Sequence, residues 1–178
     1  MAILKIARMG HPVLLETALP VADPLTPDIQ RLLADMTETL EDAGGVGLAA
    51  PQVYQKLRLF IWHLPAARAE NGVAMPLSTV FNPEITPLSE ARELGWEGCL
   101  SIPGLRAAVP RYRDIRLTGL DAQGVPFSTE LSGFAARIVQ HETDHLNGIL
   151  YPMRMSDFRY FGFNEETERH NQPLPEIV

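Results

Sequence analysis

Two stretches of the chain repeat apolar residues at intervals of three and four, the spacing of an amphipathic helix. The first follows Thr26 and Pro27, a capping residue and a proline at the first helical position. Its apolar positions are Ile29, Leu32, Leu33, Met36 and Leu40. The second has Ser132 as a candidate N-cap and Gly148 as a candidate left-handed C-cap. Its apolar positions are Phe134, Ala135, Ile138, Val139 and Leu146. The pattern predicts two helices.

Four shorter stretches are rich in β-branched and aromatic residues, which favour strands. They lie at residues 57–62, from 79 to 81 before Pro83, at 114–119 and at 125–131. Residues 121–124 have the composition of a hairpin turn between the last two. Prolines interrupt any helix in residues 1–23, so we predict an extended arm there. We predict a surface loop at residues 65–76. The tail after Pro152 is expected to pack partly on the body and to fray at its end.

Composition narrows the classes of protein that fit. The chain has 178 residues, of which 46% are hydrophobic and 21% charged, so we predict a single domain, 1–178, with a poorly defined tail after about residue 164. A formal net charge of −7 argues against a DNA partner. No apolar run approaches the roughly 20 residues that span a membrane, and residues 1–8 are too short and too charged for a signal peptide. A single cysteine cannot form an internal disulfide, and this favours a protein of the reducing cytosol.

The second predicted helix contains His141, Glu142 and His145 in the pattern His-Glu-x-x-His. Residues four apart lie on one face of a helix, so both imidazoles can bind one metal ion. Glu142 is rotated from His141 by roughly 100°, and it can therefore reach water beside the ion without being a ligand. Two histidines at this spacing also occur by chance, but an unpaired carboxylate is costly in an otherwise apolar helix. A metal site is the favoured interpretation.

A catalytic metal site typically has three protein ligands, so a third must come from elsewhere. The metzincin protease pattern requires a further histidine, but Tyr151 stands in its place. The gluzincin pattern requires a glutamate on a second helix. Glu165 is at a tolerable distance, but Pro152 and Gly162 intervene and no convincing helix carries it. A structural zinc site is poorly supported by one cysteine. Cys99 remains a candidate ligand.

Residues 43–52 form a glycine-rich stretch between the first helix and the first strand. Its spacing fits neither of the common nucleotide-binding fingerprints. A flexible loop is one interpretation. The interpretation that we favour is a backbone that comes close to a ligand, because glycines remove the side chains in the way. Gln52 ends the stretch with an amide that either donates to a ligand oxygen or is simply exposed.

Three stretches together resemble the three signature motifs of the peptide deformylase family. They are GVGLAAPQ at 45–52, EGCLS at 97–101 and QHETDHL at 140–146, in the family's order. The resemblance extends from residue 3 to about residue 163. It implies an α+β fold with antiparallel β-sheets wrapped around a central metal-binding α-helix. It also implies metal ligands at Cys99, His141 and His145, with Glu142 as general acid and base.

The resemblance also implies a function. Family members hydrolyse the formyl amide of N-formylmethionyl peptides, the ends of new polypeptides, and release formate. They usually use one Fe2+ per chain, and Zn2+, Ni2+ or Co2+ can substitute. This role implies a cytoplasmic protein with transient contact to the translating ribosome, for which Arg111, Arg113 and Arg116 are a candidate basic patch. The alternative is a deformylase-like protein that has lost catalysis and only binds formylated or nascent peptides. The intact Glu142 argues against it.

The same motifs suggest residues that act on the substrate. The Gln52 amide and the Leu100 backbone N–H could stabilise negative charge that develops on the formyl oxygen. Part of the backbone is expected to pair with an extended peptide as an added strand would, and the residues concerned are Val46, Gly47 and Gly98. Arg106 is a candidate to hold a substrate carbonyl, with a surface salt bridge as the other interpretation.

Overall fold

The computed structural model describes residues 2–70, 72–170 and 173–174. Its helices are α1 (Pro27–Ala43), α2 (Gly133–Leu146) and α3 (Asn164–Arg169). Its strands are β1 (Gly47–Ala49), β2 (Leu59–Leu64), β3 (Met75–Pro87), β4 (Arg92–Cys99), β5 (Ile102–Tyr112), β6 (Asp114–Leu120), β7 (Pro126–Ser132) and β8 (Phe161–Phe163). The larger antiparallel sheet has the order β1-β2-β3-β6-β7, and the smaller has the order β4-β5-β8. The predicted α+β fold is confirmed.

The larger sheet has a helix on each face, and β2 explains why. Successive side chains of a strand point to opposite faces, and all but one residue of β2 are buried. Phe60, Trp62 and Leu64 face α2, whereas Leu59 and Ile61 face α1. Full burial of such side chains contributes about 1.5–3 kcal/mol each. This two-sided core fixes α2 against the sheet.

Helix α1 begins and ends as its sequence predicts. Thr26 is the N-cap residue, although its side chain makes no capping hydrogen bond, and Pro27 occupies the first helical position. Gly44 ends the helix with a left-handed backbone, φ 65°. Met36 and Leu40 pack against the sheet. This helix closes the core and lies on the opposite side of the sheet from α2.

The smaller sheet was not predicted from the sequence. Strands β4 and β5 pair from Arg92–Tyr112 to Gly98–Arg106, but glycines and prolines interrupt the apolar pattern of both. The inner face of β5 packs on the N-terminal arm and on Leu150 and Tyr151. The sheet therefore covers the side of α2 that the larger sheet leaves free.

The chain termini differ in part from the predictions. The N-terminal arm contains a short 3-10 helix at Pro12–Leu15. The tail folds back as β8, which pairs with β5, and as α3. The prediction that no helix carries Glu165 is therefore wrong. The prediction that the end of the tail frays concerns residues 171–172 and 175–178, which lie outside the described residues. Within the described part of the chain, no helix combines the length and the apolar character needed to cross a lipid bilayer.

The remaining strand predictions are close to the observed elements. The strand predicted at 57–62 lies two residues later, and the short strand predicted at 79–81 is the middle of the long β3. The predicted hairpin is formed by β6 and β7. In the loop predicted at 65–76, a 3-10 turn spans Ala66–Arg68 and β3 already begins at Met75; residue 71 lies outside the described residues. These elements lead the chain directly into α2.

Candidate active site

Helix α2 lies between the two sheets, so most of its polar residues are buried with its apolar ones. Ser132 is its N-cap residue, without a side-chain capping bond. Gly148 adopts a left-handed backbone, φ 69°, just beyond its end. Buried Gln140 shows how such groups are satisfied: its amide donates to the Tyr112 carbonyl (2.8 Å) and accepts from the Tyr112 N–H (3.1 Å). The amide pairs with β5 as a further strand would.

Three ligand-type side chains converge on one point beside α2. One donor atom from each of Cys99, His141 and His145 lies within 4.8 Å of the other two. The Cys99 Sγ is 3.2 Å from the His145 Nε2, and the two imidazole centroids are 5.0 Å apart. Thiolate and imidazole are ligands that suit transition metals such as zinc and iron. The three residues therefore fit a metal ion.

Cys99 ends β4 at an irregularity in its pairing with β5. Its sulfur accepts from the Ser101 backbone N–H (3.4 Å) and from the Gln52 side-chain amide (3.5 Å). Burial alone would raise the pKa of this thiol, but the positive charge of His145 and a hydrogen bond from His141 hold that pKa well below its usual value. The anionic form, which binds metals, is therefore favoured.

Glu97 orients one of the histidines. Its carboxylate accepts from the His141 Nδ1 (2.9 Å), so the Nε2 of that ring faces the cluster. It also accepts two hydrogen bonds from Arg111 (2.9 and 3.0 Å) and one from Arg137 (2.8 Å). Burial would raise the pKa of Glu97, but the hydrogen bonds from His141 and Arg111 outweigh it, and the pKa lies well below its usual value. Such an outer partner fixes the ring and raises its basicity.

Asp144, inside the His-Glu-x-x-His motif, extends this network away from the cluster. It accepts from Arg111 and from Arg154. Arg111 is thus buried between two carboxylates. The other two arginines of the predicted basic patch are paired as well, Arg113 with Glu93 and Arg116 with Glu130. The patch is not supported, because each of its members is matched by an acid.

Glu142 lies against the cluster on the adjacent face of α2. It is 4% exposed, and its Oε2 has no hydrogen-bond partner among the described residues. Burial raises the pKa of Glu142 to about 7, although His141 and His145 favour its anionic form. A pKa near neutrality suits a group that both accepts and donates a proton. A Cβ built on Gly47 would lie 2.7 Å from the Glu142 carboxyl carbon, so any larger residue there would displace the Glu142 carboxylate.

The cluster lies at the base of a cleft of about 740 Å³. The cleft lies between β1 and β4, which are the end strands of the two sheets. Nine of the ten site residues predicted from the sequence line it: Val46, Gly47, Gln52, Gly98, Cys99, Leu100, Arg106, His141 and Glu142. The tenth, His145, is 1% exposed and lies next to the Cys99 sulfur. One cleft thus collects residues from three distant stretches.

Gln52 is 1% exposed, so it is not the exposed loop amide of the other interpretation. Its Oε1 accepts from the Ala49 N–H (2.8 Å), and its Nε2 donates to the Ser101 Oγ (3.2 Å) as well as toward Cys99. Arg106 pairs with Glu168 at 3.0 Å while also lining the cleft. The salt bridge of the second interpretation is therefore present, on a side chain that also lines the cleft.

Sequence reasoning assigned no role to Glu97, Arg137 or Asp144, and it placed Arg111 in a basic patch instead of at this site. A signal for two of them was available, because Arg137 and Asp144 are charges on a helix with an otherwise apolar face. Tyr151, which stands where a metzincin would have histidine, stacks on His141 with centroids 6.1 Å apart. Glu165 is exposed on α3 and does not restore the gluzincin interpretation.

Three donors beside an open cleft are typical of a catalytic rather than a structural metal site, because a structural site closes all four positions. With a carboxylate poised next to the donors, the fold and site define a metal-dependent hydrolase. Comparison with known proteins makes this specific. The family model of polypeptide deformylase matches residues 3–160. The chain belongs to this family.

Individual relatives agree with the family match. The chain is 47% identical over 163 residues to peptide deformylase 1 of Nitrosomonas europaea, covering 90% of this chain and 92% of that protein. It is 50% identical over 161 residues to peptide deformylase 1 of Bordetella pertussis, with coverage of 90% and 92%. A class I type b peptide deformylase from Acinetobacter baumannii, solved with Met-Ala-Ser bound, has a similar structure. Its TM-score is 0.80 at 39% identity, covering 86% of this chain and 98% of that one.

Proposed function

We propose that this chain, in one catalytic domain, hydrolyses the formyl amide of N-formylmethionyl peptides and releases formate and a free amino terminus. The observation that carries the proposal is the cluster of Cys99, His141 and His145 with Glu142 beside it, at the base of an open cleft. Family membership supports the same reaction.

We propose one Fe2+ per chain as the working metal, with Zn2+, Ni2+ or Co2+ able to replace it. Cys99, His141 and His145 would hold the ion. When bound, the ion supplies a Lewis acid that makes water more acidic and polarises a carbonyl. A thiolate donates more charge than a third imidazole, and this choice of ligand suits a softer transition metal. Glu97 supports the assignment, since it holds the His141 ring with its Nε2 toward the cluster.

Glu142 is proposed as the general acid and base. Its carboxylate accepts a proton from the attacking water and later delivers that proton to the departing amine. The Gln52 amide and the Leu100 backbone N–H are proposed to donate to the formyl oxygen as negative charge develops there. One donor of this kind is typically worth roughly 3–4 kcal/mol in the transition state. Burial of Glu142 and Gln52 in the cleft supports these roles, because polar interactions are stronger where water is excluded.

The peptide is proposed to lie in the cleft as an added strand. Strands β1 and β4 each end their sheet, so each presents backbone groups that no neighbouring strand of the sheet takes up. Val46, Gly47 and Gly98 lie on these two edges or beside them and would contact the peptide backbone. Arg106, which also lines the cleft, would hold a carbonyl further along the peptide.

The cellular setting follows from this substrate. We propose a cytoplasmic enzyme that meets nascent polypeptides in transient contact with the translating ribosome, without a DNA or membrane partner. The net charge of −7 supports the exclusion of DNA, because long stretches of phosphate backbone repel an acidic surface.

The direct test is formate release from formyl-Met-Ala-Ser by Fe2+-loaded protein under anaerobic conditions. We expect sustained turnover with one formate for each free amino terminus. Peptide binding without formate release would overturn the proposal and leave a protein that only binds formylated peptides. A metal count on the same sample ensures that the tested protein carries its ion.

A further inference from the structure

His63, near the end of β2, holds the rim of the cleft from behind. Its ring Nε2 lies 3.0 Å from the Gly45 carbonyl oxygen, and its backbone N–H donates to the Val46 carbonyl at 2.9 Å. A carbonyl oxygen only accepts, so the Nε2 carries a proton and donates it. Gly45 and Val46 line the cleft, whereas His63 does not. One residue outside the cleft therefore binds two successive carbonyls of its rim.

The hydrogen bond from the ring sets the direction of the peptide group between Gly45 and Val46. This peptide bond is trans, and in a trans peptide the C=O and the N–H point in opposite directions. The Val46 N–H therefore points away from the His63 ring. Side chains alternate along β2, so His63 faces α1 together with Leu59 and Ile61. The Val46 N–H consequently points toward the other side of the sheet, where α2 and the metal-binding cluster lie.

The Val46 N–H is a donor without a partner of its own. In the described part of the chain it donates to no acceptor, and it directly precedes β1, which ends its sheet. An unpaired N–H beside an edge strand is the group that a backbone carbonyl of an added peptide takes up. The direction of this N–H therefore decides whether a peptide in the cleft can form that hydrogen bond.

Packing fixes where Gly45 lies. A Cβ built on it would lie 3.0 Å from the Leu40 Cδ1 and 3.1 Å from the Leu100 Cδ1, so the chain passes tightly between α1 and the cleft. These apolar contacts have no preferred direction for a carbonyl. The hydrogen bond from His63 supplies that direction.

We propose that His63 is a positioning residue for substrate binding: by holding the Gly45 carbonyl, it presents the Val46 N–H to a backbone carbonyl of the formylated peptide. The inference rests on the proposed deformylase function and deepens it. His63 lies outside the cleft lining, so its effect falls on binding of the peptide backbone, whereas the chemical step stays with the residues at the cluster.

The test measures formate release from formyl-Met-Ala-Ser by Fe2+-loaded His63→Ala. Loss of one aligned hydrogen bond should lower kcat/KM about three- to tenfold. The loss should appear mainly as a higher KM, because a contact that is equally strong in the ground state and the transition state leaves kcat unchanged. His63→Gln, whose side-chain amide can donate to the same carbonyl, should recover at least about half of the lost affinity.

A truncated substrate separates positioning from a general structural effect. N-formyl-3-(methylthio)propylamine keeps the formyl amide and the methionine side chain but has no further carbonyl for the Val46 N–H. We expect His63→Ala to hydrolyse it with a kcat/KM within about twofold of the wild-type value. A variant with a distorted cluster would instead lose activity on both substrates by the same factor, and this result would overturn the inference.

His11→Ala is the matched control. The His11 ring also contacts the backbone, since its Nδ1 accepts from the Val13 N–H at 3.2 Å, but it lies outside the cleft lining and away from its rim. This variant should keep the wild-type kinetics on both substrates. The inference is also contradicted if His63→Ala keeps the wild-type KM for the peptide, or if His63→Gln is no better than His63→Ala. Absence of formate release from formyl-Met-Ala-Ser by the wild-type protein contradicts the proposed function itself.

Discussion

Replacement of Glu97 by glutamine tests how strongly the network behind the metal-binding cluster depends on one buried carboxylate. Glu97 is 6% exposed and accepts hydrogen bonds from His141, Arg111 and Arg137. Glutamine keeps the shape but has no charge, and its NH2 group would face a donor. Removing one partner of a buried pair costs about 3–5 kcal/mol. We expect the lower end, about 3 kcal/mol, because Asp144 still balances Arg111.

Thermal unfolding measures this loss. For a domain of this length, 1 kcal/mol lowers Tm by about 2–4 °C, so Glu97→Gln should lower Tm by roughly 6–12 °C. Glu93→Gln is the matched control. It removes the same charge from the Glu93–Arg113 pair, in which the side chains are 48% and 52% exposed, and it should cost at most about 1 kcal/mol.

The same variant should also bind the metal more weakly. Without the Glu97 carboxylate, His141 loses the acceptor that fixes its ring, and loss of such an outer partner typically reduces metal affinity by about 10–100-fold. Competition with a chelator measures this affinity at a temperature at which both proteins are folded. If Glu97→Gln and Glu93→Gln were equally stable and bound the metal equally well, the account of this network would be refuted.

Lowering the pH should diminish the difference in stability between the wild-type protein and Glu97→Gln. The pKa of Glu97 is lowered in the folded protein, from an ordinary value of 4.5, so its contribution to stability is complete above that value. As the pH falls below about 4.5, the unfolded chain binds a proton first, and the contribution decreases. Denaturant unfolding should give the same difference in the free energy of unfolding between the two proteins at pH 7 and pH 5, and a smaller difference at pH 4.

Four further outcomes are expected at the cluster. Glu142→Gln should retain the metal but reduce turnover by at least about 100-fold, and a near-normal rate would exclude Glu142 as the base. Gln52→Leu should lower kcat at least about tenfold while KM changes less. Steady-state kinetics with a metal count measures both, and a rise in KM alone would show that Gln52 makes only a ground-state contact. Gly47→Ala should reduce turnover, because its Cβ would meet the Glu142 carboxylate, whereas Gly72→Ala, at an open position with φ +68°, should cost stability but not turnover. Cys99 should be oxidised in air much faster with Fe2+ than with Zn2+ bound, and equal survival of both forms would contradict the assignment of Fe2+.

The parts of the fold that the sequence predicts well depend on local patterns. Helix α1 and helix α2 show helical periodicity and terminal signals within a single stretch, and β2 is a short apolar run. Strands β4 and β5 could not be recognised in this way, because glycines and prolines interrupt them and their stability comes from pairing with each other. The short α3 has no strong apolar face, and its position depends on the pairing of β8 with β5.

The residues of the candidate site also differ in whether a local sequence pattern identifies them. His141, Glu142 and His145 are recognisable from helical spacing alone. The proximity of Cys99 to His145 required the resemblance of three separate motifs, since 46 residues separate the two. The role of Glu97 escaped sequence reasoning because its partners lie 14 to 44 residues away. Only tertiary packing brings these charges together.

The most direct test of the central claim is a metal titration of turnover. Protein stripped of metal by a chelator is titrated anaerobically with Fe2+, and formate release from formyl-Met-Ala-Ser is recorded together with the bound iron. We expect the rate to rise in proportion to bound iron and to reach its plateau at one ion per chain. The same titration of His141→Ala should leave the rate near zero. Full turnover by the metal-free protein, or an unchanged titration of His141→Ala, would contradict the assignment of this cluster as the catalytic metal site.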